Sequence, residues 1–151
     1  MREHADQRID VKWLWELVLS AHALHEENPE LAVLAVQVAV ETCAERVFKE
    51  LLLARGFGSL VQPLIECLPD KSFMDKRTQK LWAELTATEV KSAATWKSYH
   101  RHVERRNRVA HAGLRPSPEE ALESFDACRK FVGFLLDVLD TTTAPGPLTP
   151  P

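Results

Sequence analysis

Apolar residues recur along this chain at three- and four-residue spacing, the period of a helix buried on one side, and nowhere do they alternate as a half-buried strand requires. Residues 9–27 carry Val11, Leu14, Trp15, Val18, Leu19, His22 and Leu24 on this period, which predicts an amphipathic helix. Asn28-Pro29 closes it. Proline disfavours helix in the residue before it and suits the first position of the next helix, and Asn28 offers a capping oxygen. From residue 30 to about 55 a second helix is apolar around most of its circumference. Only Gln37, Glu41, Glu45 and Lys49, each four apart, draw a polar stripe along it. A helix so widely apolar is expected at the centre of a fold, touching several neighbours or a second copy of the chain.

Gly56-Phe57-Gly58-Ser59 is a breaker, with Gly56 suited to ending the second helix. A short helix is expected over residues 60–68, then Pro69-Asp70-Lys71-Ser72 interrupts the chain and the stretch to residue 77 reads as loop. Helical periodicity returns over residues 80–110 through Leu81, Trp82, Leu85, Val90, Ala94, Trp96, Tyr99, Val103 and Ala110, with a break near residues 86–89. Ser117-Pro118-Glu119-Glu120 then supplies an N-cap, a proline for the first helical position and acidic residues for the positive end of the helix dipole. The last helix is expected over residues 118–139, burying Ala121, Leu122, Phe125, Cys128, Phe131, Val132, Leu135 and Leu139. Residues 141–151 hold four prolines and a glycine and read as a disordered tail or the stub of a linker. The pattern predicts an all-α bundle of about four main helices with one or two short extra helices, one domain over residues 1–140.

A net charge of -3 argues against a protein that coats nucleic acid through charge alone, so any such contact is expected to be local. Cys43, Cys67 and Cys128 are odd in number and far apart in apolar segments, which predicts buried free thiols in a reducing compartment. The first ten residues lack the basic-then-apolar layout of a secretory signal, and the longest apolar stretch, residues 31–44, is too short for a bilayer. A cytoplasmic protein with no membrane contact is expected. No glycine-rich phosphate loop is present, and His4, His22 and His25 show no ligand spacing with cysteines or acids, so neither cofactor nor metal is expected.

Chemistry concentrates where the pattern over residues 80–110 runs out, in Glu104-Arg105-Arg106-Asn107-Arg108-Val109-Ala110-His111-Ala112-Gly113. Asn107 and His111 are four apart and share a helix face, with Arg106 one step to the side, so the three can converge on one small polar target. Cutting a ribose-phosphate chain without a metal needs a group to take the 2′-hydroxyl proton, a group to protonate the leaving 5′-oxygen, and positive charge on the phosphate. An imidazole, with a reference pKa of about 6.5, serves for either proton, and a guanidinium grips two phosphate oxygens. Asn107 would orient one or the other. A His before a Gly cap also interacts with the last carbonyls of its helix, which is the structural alternative.

The run Arg106-Asn107-Arg108-Val109-Ala110-His111 resembles the Arg-polar-x-x-x-His signature of HEPN domains, small all-α domains many of which are metal-independent RNases. The resemblance implies a homodimer with the two signatures meeting in a composite cleft, an endoribonuclease leaving a 2′,3′-cyclic phosphate, and a setting in toxin–antitoxin or antiviral defence. It implies restraint by a regulatory partner protein or an additional domain. Arg105, Arg108 and His102, with His100 and Arg101, are candidates for a basic groove along the RNA backbone, set against a plain wetted helix face. Glu41 or Glu45 could fix the Arg106 guanidinium, set against a solvated stripe with Lys49. Trp96 and Tyr99 are base-stacking candidates or core. The rival function is a catalytically inactive interaction or dimerisation module that binds a partner protein or a nucleotide; a nucleotidyltransferase partner domain is a third.

Overall fold

The computed structural model describes residues 11–68 and 72–144. It is all-α, with six α-helices among the described residues: α1 Val11–Ala23, α2 Pro29–Ala54, α3 Val61–Glu66, α4 Lys76–Thr86, α5 Trp96–Ala112 and α6 Pro118–Thr143. Single 3-10 turns at Gly58–Leu60 and Val90–Ser92 lead into α3 and α5. The interrupting Pro69-Asp70-Lys71 of the sequence pattern lies outside the described residues, as do Ile9, Asp10 and the proline-rich end from residue 145.

The helix starts follow local chemistry. The Asn28 side chain accepts from Leu31 N, and Pro29 takes the first position of α2. At α6, Ser117 and Glu120 form a reciprocal capping box ahead of Pro118. Asp75 caps α4 by accepting from Arg77 N, and this starts the helix four residues before apolar periodicity resumes at Lys80. At the other end α6 continues to Thr143, because Thr141 and Thr143 turn their hydroxyls back onto Asp137 and Leu139 carbonyls instead of breaking the helix. α1 stops at Ala23, earlier than the pattern to residue 27 implied, and hydrogen-bonded turns carry the chain from there to Asn28.

α2 is the central helix, packing against α1, α3, α4, α5 and α6. Its Phe48 joins Phe73, Trp82 and Phe131 in an edge-to-face and stacked aromatic cluster, all four fully buried. Tyr99 of α5 lies flat on Phe131 of α6 with ring centroids 3.8 Å apart, which pins α5 to the bundle. A second, smaller apolar cluster of Ala32, Val33, Val109 and Ala121 holds the far end of α5. Gln37 of α2 bonds His102 while Val33, one turn earlier, packs near Val109, so α2 and α5 run antiparallel.

Cys43 and Cys128 are buried, and burial pushes the Cys43 thiol up to about 12 and raises that of Cys128 as well. Cys67 departs from the expectation: at the frayed end of the short α3 it is exposed. Among the described residues no helix is long and apolar enough to cross a membrane.

Candidate functional site

Gly113 ends α5 in the left-handed conformation at φ +63°, where an L side chain is strained, and its N–H bonds back to Arg108 O. The last turns of α5 are thereby presented intact beside the first half of α2. Between the two helices and α3 opens a cleft of about 1110 Å³. Arg106, Asn107 and His111 line it from α5, while Gln37, Glu41 and Glu45 line it from α2. The polar stripe of the central helix is therefore one wall of this cleft. Met74, Ile65 and Leu68 add an apolar flank on the α3 side.

His111 is exposed, and among the described residues its ring makes no hydrogen bond or ion pair. It does not fold back onto the helix carbonyls. The Arg106 guanidinium donates to Asn107 Oδ1 at 3.1 Å and forms no ion pair among the described residues, which leaves most of its donors open.

Glu41 and Glu45 face the same cleft without clamping Arg106. Glu41 accepts from Gln37 Nε2 at 2.9 Å, and Glu45 pairs with Lys49 at 2.7 Å. Three carboxylates, those of Glu41, Glu45 and Glu66, line the cleft against the single guanidinium of Arg106. One protomer alone therefore offers a phosphate a foothold only at the Arg106–His111 end.

Two candidates for gripping an RNA backbone are engaged elsewhere. His102 is 1% exposed and lies on the core face of α5 between Tyr99 and Arg106, with Nε2 3.0 Å from Gln37 Oε1. Burial, reinforced by the Arg105 and Arg106 charges, lowers its pKa to about 3, so the ring is neutral and carries no charge for a phosphate. Arg105 bends onto α6, donating to Ser124 Oγ at 2.8 Å and Glu123 at 2.9 Å. Neither a basic groove nor a wetted helix face describes these two residues, because α2 meets His102 through Gln37 and α6 meets Arg105 through Glu123 and Ser124. Arg108 is exposed on the outer side of α5 with Arg101 and Glu104, outside the cleft lining. Tyr99 is core, not a base-stacking platform, and Trp96 packs partly buried against the main core.

Sequence reasoning missed Gln37 as a functional position. It is 4% exposed and joins His102 to Glu41. The available signal was a polar residue inside an otherwise apolar stretch, one turn ahead of a glutamate.

Comparison with protein-family models, curated proteins and solved structures gives no match for this chain. The functional reading therefore rests on the cleft and the signature. Among the described residues no three His, Cys, Asp or Glu side chains are grouped to hold a metal ion.

Proposed function

We propose that the chain is a metal-independent endoribonuclease of the HEPN type, with Arg106, Asn107 and His111 as its catalytic residues. The observation that supports this most is that the three side chains open together onto one cleft with the His111 ring exposed and unbonded. In this reading the Arg106 guanidinium holds the non-bridging oxygens of the scissile phosphate and meets the charge that grows there. Asn107, bonded to Arg106, keeps the guanidinium aimed at the cleft. An imidazole takes the 2′-hydroxyl proton, the 2′-oxygen attacks phosphorus, and the 5′-oxygen leaves with a proton from an imidazolium. The products are a 2′,3′-cyclic phosphate and a 5′-hydroxyl.

One imidazole cannot be acid and base in the same step. A twofold dimer that brings two signature ends together supplies both, and sets two guanidiniums beside one phosphate. Val38, 51% exposed on the cleft wall, and Leu31, 46% exposed two turns earlier on α2, are the apolar surface such a contact would cover. Incubating purified protein with mixed RNA in excess chelator and sequencing the product ends tests the proposal. Cyclic phosphate ends support it; intact RNA refutes it.

The rival reading, a non-catalytic module that docks a partner protein, draws on the same exposed Leu31 and Val38 and on the acidic balance of the cleft. It is favoured if the protein binds a partner through this face and leaves RNA uncut.

A further inference from the structure

The two ends of the cleft differ in chemistry. Because α2 and α5 are antiparallel, His111 lies level with the start of α2, whereas Glu41 and Glu45 lie further along α2 toward α3. The signature end carries a guanidinium and an imidazole. The other end has an apolar flank, Leu68 and Met74 with the buried Ile65 behind it, and three carboxylates, those of Glu41, Glu45 and Glu66. Lys49 neutralises Glu45, but Glu41 has no ion pair among the described residues. A phosphate is repelled there, while a flat, apolar group with hydrogen-bond donors along one edge is accepted.

Glu41 is also held in place. A carboxylate only accepts, so Gln37 must turn its NH2 to Glu41 and its carbonyl to His102, and the neutral His102 must donate from Nε2. This buried, one-directional chain fixes the carboxylate at the cleft wall, where it keeps unoccupied acceptor capacity for a ligand.

Resting on the reading of the signature end as the RNA-phosphate site, we propose that the Glu41 end is a nucleobase subsite selective for guanine. Guanine presents two adjacent donors, N1–H and the N2 amino group, which match the two oxygens of a carboxylate. Adenine and cytosine each set one amino donor beside an acceptor nitrogen, and uracil sets one N–H between two carbonyls, so each turns a lone pair toward Glu41. The apolar walls take the faces of the base, and Arg106 and His111 take its phosphate. The cleft, at about 1110 Å³, has room for a nucleotide and part of its neighbour.

The test titrates wild-type protein with the four nucleoside 3′-monophosphates. Guanosine 3′-monophosphate should bind about 10- to 100-fold more tightly than the other three, the discrimination of one good bidentate pair. Inosine 3′-monophosphate, which lacks the N2 amino group, and its N1-methylguanosine counterpart should lose most of that preference. A Glu41→Gln variant, isosteric but with one acceptor only, should bind all four within a few-fold. A hexaribonucleotide with a single guanosine distinguishes the source: tighter binding than the free nucleotide points to RNA, equal binding to a free guanine nucleotide. Equal affinity for all four bases, no binding of any, equal affinity for inosine and guanosine, or a preference kept by a folded Glu41→Gln variant overturns the proposal. Guanine preference in a protein that leaves RNA uncut would sustain the subsite and remove only the nuclease reading.

Discussion

His102 donates from Nε2 to Gln37 Oε1 across 3.0 Å in the interior of the bundle. Its Nδ1 is buried without a partner, as expected of the acceptor nitrogen in a neutral ring whose proton sits on Nε2. A charged ring would need a second acceptor there and would face the Arg105 and Arg106 guanidiniums.

This makes acid stability a measurable consequence. The folded-state pKa of His102, about 3, lies below its unfolded value, so between the two the unfolded chain takes up a proton that the folded chain refuses. The cost is absent at pH 7 and above, and grows as pH falls below about 6.5. At pH 5 it is about 2 kcal/mol, from 1.36 kcal/mol per pH unit. Urea unfolding at pH 7 and pH 5 should show this loss in wild type and a smaller one in His102→Gln, which keeps a donor for Gln37 but does not titrate. An equal loss in both proteins would mean that other groups govern the acid limb.

Arg105 is expected to serve the fold. Its side chain is 10% exposed and bonded to Ser124 and Glu123, so Arg105→Ala should lower stability by about 1–2 kcal/mol. Among molecules that remain folded, RNA cleavage should change little. A large fall in turnover at unchanged stability would return Arg105 to the substrate site.

Tyr99 and Phe131 stack at 3.8 Å in the core, joining α5 to α6. Phe131→Ala should cost about 3–5 kcal/mol in chemical denaturation. Tyr99→Phe keeps the stack and removes only the buried hydroxyl, for about 1 kcal/mol. Similar losses from the two changes would contradict the packing described.

Dimerisation through the signature side predicts sensitivity at Val38, half-exposed on the cleft wall. Val38→Glu should leave the helical content unchanged and shift the protein from dimer to monomer in light scattering, with cleavage reduced at least tenfold. A wild-type monomer that cleaves RNA, or a variant that still dimerises, would place the twofold contact elsewhere or remove it.

Helix boundaries were legible wherever a single residue carries the signal. Asn28, Ser117 and Gly113 act locally, through one side-chain oxygen or one backbone angle, and each stands where the sequence placed it. The all-α class followed from periodicity for the same reason. The start of α4 was not legible, because Lys76 to Lys80 offers few apolar residues and its order depends on the Asp75 cap and on burying Thr78 and Trp82. His102 and Arg105 look like solvent-facing polar residues until α2 and α6 are set against α5. Their partners are 65 and 18–19 residues away, and no local pattern records such pairings. The convergence of Arg106, Asn107 and His111 needed only helical spacing, but the wall opposite them, Gln37 to Glu45, required the tertiary fold.

The central claim is that His111 moves a proton during RNA cleavage, and the most direct measurement compares wild type with His111→Ala on one RNA in excess chelator. The exposed ring makes no contact that holds the bundle together, so the variant should keep its unfolding midpoint. Wild type should release 2′,3′-cyclic phosphate ends and the variant should lose at least about 100-fold in rate, the usual size of a general acid–base contribution. Equal cleavage by the two proteins, or none by wild type, would contradict that claim.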